Sequence, residues 1–243
     1  MSDKTIKDFE KLVKKALENR EKTKLHKDME FLENLFKNKE VSTKYKATKL
    51  ADIYSVARTL NPKLNYDDLL KKKNLDKFKN WVKDEKIEQG LKDLLNTTKV
   101  GTVNVGSKKG NRIVSFLSKY AYYYTNKNFP IYDSMADEHL KTLHNKICEN
   151  GKVSGKEQHE KHFNRYLTLI KHLKANGIEK FNGHTLIDGI DAFLWLYGIM
   201  DKATKDAENE VEKKFLYSST CGPLNGFTKW YEDSKKFMQN NKQ

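Results

Sequence analysis

A lysine, an aspartate and a row of tyrosines that fall close together in the chain are the residues best suited to do chemistry. The stretch 112–134 reads RIVSFLSKYAYYYTNKNFPIYDS. Its apolar periodicity predicts a helix over 111–125, with Ile113, Phe116, Leu117, Tyr120, Ala121 and Tyr124 as the core stripe. Ser115, Lys119 and Tyr122 share another face, at i, i+4 and i+7, which sets Lys119 off the centre of that stripe and free to face a cleft. Spacing alone makes a solvated lysine the commoner fate. Asp133 follows Phe-Pro-Ile-Tyr. Pro130 fixes φ and predicts an extended segment. A helix then starts near Ser134, with Asp137 three residues on in the manner of a capping box. Asp133 can cap that helix and still be a rigidly held catalytic carboxylate.

The elements that must position these groups are mostly helical. Prolines occur only at 62, 130 and 223, and glycine is sparse. Lys, Glu and Leu are abundant, so helix is favoured nearly throughout. Apolar spacing predicts helices over 5–20, 25–38, 43–60 and 84–96, then 134–149, 155–175, 184–204 and 206–216. The tail is expected to hold a loop, SSTCGPLNGF, and a short aromatic helix around Trp230. The segment 99–110, KVGTVNVGSKKG, is β-branched, Gly-bearing and basic, and reads as a turn or hairpin. The economical architecture is all-α, either one helical unit or two lobes with the active site between them.

Composition narrows the partner. The 243 residues carry a formal charge of +14, with a pI near 9.4. Arginine occurs only at Arg20, Arg58, Arg112 and Arg165, so the basic residues are overwhelmingly lysine. Such an excess fits a polyanion, most simply nucleic acid. Cys148 and Cys221 lack zinc-type neighbours and read as reduced thiols. His139 and His144, and the i, i+3 pair His159 and His162, make weak metal evidence; no metal and no cofactor is expected. The N-terminus lacks the apolar core of a signal peptide, and no stretch approaches a membrane span. A cytoplasmic protein with no membrane contact is the expectation.

The pattern formed by Arg112, Ser115, Phe116, Ser118, Lys119 and Tyr120, followed by Phe129, Pro130, Ile131, Tyr132, Asp133 and Ser134, resembles a group of bacterial proteins. That group in turn resembles the helix-hairpin-helix (HhH-GPD) DNA glycosylase superfamily, which includes the 8-oxoguanine glycosylases. A second stretch, IDAFLWLYG at 190–198, resembles the closing helix of such domains. The resemblance implies a glycosylase domain over 45–204. Residues 1–44 would complete the bundle, and 205–243 would form a C-terminal helical extension.

The resemblance also implies a reaction. The carboxylate at the position of Asp133 supports attack at the sugar C1′, where departure of the base leaves an oxocarbenium-like centre. The target base must first leave the stack, and Ser115, Tyr122, Tyr132 and Trp195 are the candidate pocket residues. Two features depart from the family pattern. Bifunctional members place a nucleophilic lysine where this chain has Ser115, with Lys119 one turn later. The family's G-x-G is absent at its usual offset, although Gly106, Ser107, Lys108, Lys109, Gly110 and Arg112 could bind a phosphate at the helix start. The expected activity is monofunctional hydrolysis of an N-glycosidic bond, in repair or in defence against phage DNA with modified bases. Lys119 would act as an ion-pair partner or as a nucleophile. The expected partner is double-stranded DNA, bound by a monomer. The alternative is a non-catalytic DNA- or RNA-binding protein that retains the fold.

Overall fold

A computed structural model describes residues 3–54, 70–84, 86, 87, 89–91, 93, 108–149, 151, 153–155, 157–206 and 227–239, with residues 24, 25, 108–112, 134 and 135 described by backbone alone. Helix dominates, and the described residues are all-α apart from one small hairpin. In chain order the elements are α1 (Asp3–Arg20), α2 (Lys24–Lys37), α3 (Thr43–Ile53), α4 (Lys72–Leu75), α5 (Lys77–Lys83), α6 (Lys108–Tyr124), α7 (Ser134–Ile147) and α8 (Gln158–Ala175). The hairpin β1 (Lys180–Phe181) and β2 (His184–Thr185) follows, then α9 (Leu186–Asp206) and α10 (Phe227–Gln239). No described helix is long and apolar enough to cross a membrane.

The chain divides into two compact units. The first comprises Met1–Lys27, Ser134–Lys152 and Thr168–Gln243; the second comprises Asp28–Asp133 and Val153–Leu167. Segment 1–44 is therefore shared between the units, and residue 205 falls inside the first.

The first unit is built on α9. This helix is apolar nearly all round and is buried on most of its surface, as such a pattern requires. Helix α1 lies against it and against α10. Phe9, at the expected core position, meets Phe181 and Phe193 edge to face and stacks on Phe237, with centroids 5.4–6.1 Å away. The indole of Trp230 donates to the Leu12 carbonyl at 2.9 Å. The hairpin was not anticipated, since 184 was read as the helix start. Lys180 pairs with Thr185 and Phe181 with His184, which leaves a two-residue Asn182-Gly183 turn. Both turn residues have positive φ, 48° and 81°, the type I′ geometry that an Asn-Gly pair favours. The turn folds Phe181 over Gly189, where an added Cβ would run into the Phe181 ring and Val13. Gly189→Ala is therefore expected to destabilise by about 1–3 kcal/mol or more through overpacking, read by urea unfolding.

The same unit holds a polar cluster on Asp201. This carboxylate accepts from Tyr231 at 3.1 Å and pairs with Lys205 at 2.8 Å, and His139 Nε2 lies 3.8 Å away. Burial holds the His139 pKa below its ordinary 6.5, outweighing the nearby Asp201 and Glu138; Lys205 pushes the same way as burial. The unfolded chain thus takes up this proton at higher pH than the folded protein. Stability from this site is complete above about pH 6.5 and declines as pH falls toward the lower folded value. His139→Gln is expected to flatten that decline in thermal melts between pH 7 and 5.5, and an unchanged slope would exclude His139 as its source.

The second unit wraps α6. Phe36 of α2 contacts the Tyr120 and Tyr123 rings, and Phe78 of α5 meets Trp81 and Phe129. The Tyr124 hydroxyl donates to Asp76 at 2.6 Å, and burial together with that carboxylate pushes its pKa up to about 12. Helix α6 is buried on more faces than the stripe implied: Val114, Ser118, Lys119, Tyr122 and Tyr123 are buried beside the expected Ile113, Phe116, Leu117, Tyr120 and Ala121.

Candidate active site

The chain returns onto α6 through a Schellman turn. Asn126 and Lys127 adopt φ of 53° and 62°. The Lys127 amide donates to the Tyr122 carbonyl at 2.6 Å and the Asn126 amide to the Tyr123 carbonyl at 3.2 Å, which satisfies the last helical carbonyls. Asparagine stands where glycine is commonest, because its short polar side chain tolerates the left-handed region. Lys127 also pairs with Glu33 of α2 at 2.5 Å, which ties the turn down.

Residues 128–133 then run beside α6 with no sheet partner. Side chains satisfy their backbone instead. Tyr132 N donates to Ser118 Oγ at 2.9 Å, and Ser118 Oγ donates to the Ser115 carbonyl at 2.9 Å. The Ile131 carbonyl accepts from His162 Nε2 at 2.9 Å. The interlocking contacts deliver Asp133 to the position just ahead of α7.

Lys119 completes the arrangement. Its residue is 3 % exposed, so the expected cleft-facing lysine is in fact interior. An ammonium has three donors, and three acceptors surround this one. Ser115 Oγ lies at 2.8 Å, the Tyr132 carbonyl at 3.4 Å and Asp133 Oδ2 at 3.4 Å. The Tyr54 ring lies 5.5 Å from the same nitrogen, close enough for a cation–π contribution. The Tyr54 hydroxyl is 2.9 Å from that of Tyr123. Burying a cation is costly unless it is paired and hydrogen-bonded, and this shell meets both conditions. Asp133 keeps about a third of its side chain exposed. The pair therefore joins a sealed cation to a carboxylate that solvent or a ligand can reach.

Ser115, Lys119, Asp133 and the main chain of Tyr132 thus form one cluster within the second unit. The aromatic candidates fare differently. Tyr122 is fully buried against Tyr123, with centroids 5.1 Å apart. The Tyr132 ring is enclosed by His159, His162 and Phe163. Neither presents a face to a ligand, because the packing that fixes 128–133 consumes both rings. Trp195 is half-buried and belongs to the first unit. Gly106 and Ser107 lie outside the described residues. Lys108, Lys109, Gly110 and Arg112 form the opening of α6, which begins three residues before its expected start; their side chains, and the rest of the expected turn at 99–107, lie outside the described residues.

Three contributors were not singled out from sequence. Ser118 stood only as part of a motif, His162 only as half of a weak metal pair, and Tyr54 not at all. Among the described residues no three His, Cys, Asp or Glu side chains converge as metal ligands would. Burial pushes the Cys148 thiol up to about 11, opposite to the shift that activates a cysteine nucleophile; Cys221 lies outside the described residues. No family model, curated protein or solved structure matches the chain.

Proposed function

We propose that the protein is a monofunctional DNA glycosylase that hydrolyses the N-glycosidic bond of a flipped damaged or modified base. One observation carries this reading: a fully shelled, buried Lys119 ammonium rests against a partly exposed Asp133 carboxylate on a side-chain-locked segment. As the base departs, positive charge grows at C1′, and a fixed carboxylate lowers the energy of that centre. The same group can take a proton from the water that attacks C1′. Lys119 is then a positioning residue. All three of its donors point at acceptors, which favours orientation of Asp133 over a Schiff base, for which an unprotonated amine is needed. The excess of lysine supplies attraction to a phosphate backbone.

The test is base release from duplexes carrying damaged, mismatched and phage-type modified bases. Abasic sites formed by the wild type, with no borohydride-trapped adduct, are expected. A trapped adduct would replace the monofunctional reading with a covalent one. A second reading, a non-catalytic nucleic-acid binder, draws on the burial of Tyr122 and Tyr132, which leaves neither ring to stack on a flipped base. Salt-dependent binding with no release from any duplex would select it.

A further inference from the structure

A groove of about 500 Å³ lies in the first unit between α1, α7 and α10. Four lysines line it: Lys4, Lys11, Lys146 and Lys236. Lys4 and Lys11 sit two turns apart on α1, about 10 Å along its axis. Lys146 places its ammonium 5.4 Å from the Phe237 ring centroid, and Phe237 is backed by Phe9, so an aromatic floor holds this cation in the groove.

Along α1 the lysines that line the groove differ from those that face away from it. Away from the groove, Lys7, Lys14 and Lys15 each pair with an acid three or four residues away: Asp3 at 2.6 Å, Glu10 at 2.7 Å and Glu18 at 2.8 Å. Among the described residues none of the four groove lysines has such a partner. Asp8 and Asp233 share the lining and leave an excess of two positive charges.

We propose that this groove binds the phosphodiester backbone of a nucleic acid strand, through Lys4, Lys11, Lys146 and Lys236. Flexible ammonium groups suit this role, since they contact phosphates as point charges without reading base edges. The two aspartates limit the number of phosphates held and disfavour a denser polyanion. The inference shares its polyanionic partner with the glycosylase reading but does not depend on base excision.

The test compares two double variants of the full chain. Lys11→Gln/Lys236→Gln removes two groove charges; Lys7→Gln/Lys14→Gln removes two charges paired outside it. Binding of a fluorescein-labelled oligonucleotide, single-stranded and duplex, is followed by anisotropy across a salt series. Loss of two phosphate contacts lowers the slope of log K against log salt by about 1.4–1.8. That reduction is expected for the groove variant, with a change under about 0.5 for the control. Equal changes in both variants, an unchanged slope in the groove variant, or no binding by the wild type would overturn the proposal. Melting temperatures equal to wild type confirm that both variants are folded. Absence of base release would defeat the enzymatic reading and leave this result standing.

Discussion

Asp133→Asn is expected to lower base release by about two to three orders of magnitude, the usual cost of removing one preorganised electrostatic group. The amide keeps the shape of the carboxylate but carries no charge to set against the developing cation and is too weak a base to activate water. DNA affinity should barely change, because phosphate contacts supply most of it. The substitution also leaves the Lys119 ammonium buried without its counter-ion. Removing one partner of a fully buried pair costs about 3–5 kcal/mol, and the partial exposure of Asp133 reduces that figure through solvent screening. Urea unfolding of the variant must therefore accompany the kinetics. A folded, DNA-binding, inactive Asp133→Asn supports the carboxylate role, and retention of wild-type release by a folded variant sinks it. Lys119→Gln sharpens the assignment. Glutamine can still donate to Asp133 or the Tyr132 carbonyl, so a positioning lysine should lose kcat only in part, with KM unchanged. A nucleophile would lose both turnover and any trapped adduct.

Arg20→Met is expected to destabilise the first unit by about 3–5 kcal/mol. Arg20 closes α1 and holds Asp188 through two parallel contacts, 2.6 Å and 3.1 Å. Both side chains are nearly sealed, at 5 % and 1 % exposure. His184 Nδ1 lies 2.7 Å from the same carboxylate, and the Asp188 amide donates to Thr185 Oγ1 at 3.1 Å. The cluster thus fastens α1 and the hairpin to the first turn of α9. Without the guanidinium, Asp188 keeps the His184 contact but loses its two Arg20 contacts, and a buried carboxylate so under-compensated is costly. Replacing both partners by apolar residues avoids that penalty, so Arg20→Met/Asp188→Leu should be more stable than Arg20→Met alone. Two of the three tryptophans, Trp195 and Trp230, lie in this unit, which makes fluorescence-monitored urea unfolding a suitable readout. A single variant within about 1 kcal/mol of wild type would show that the pair is solvated and contributes only as surface pairs do.

Periodicity alone determined much of the local structure. Helices at 3–20, 24–37, 134–147 and 186–206 end within a few residues of their expected bounds, because a 3.6-residue apolar repeat and few breakers leave little alternative. The short helices at 72–75 and 77–83 were not read from sequence, being too brief to show a period. The hairpin at 180–185 carried a legible signal in Asn182-Gly183, masked by the helical pattern that follows it.

The site was legible by residue type but not by environment. The sequence determined that Ser115 and Lys119 share a helical face, since i, i+4 spacing requires it, and that Asp133 precedes a helix. Only the tertiary structure decided that Lys119 is interior, because burial depends on what covers a helix. Here the cover is the returning segment 128–133 and Tyr54. It likewise decided that Tyr122 and Tyr132 are core rather than pocket, since His159, His162 and Phe163 enclose one ring and the interior around α6 the other. The Arg20–Asp188 pair joins residues 168 apart, a separation at which no local pattern carries information. Local spacing sets which residues share a face, but charge pairing and burial are non-local, and they decide which of those residues are placed to act.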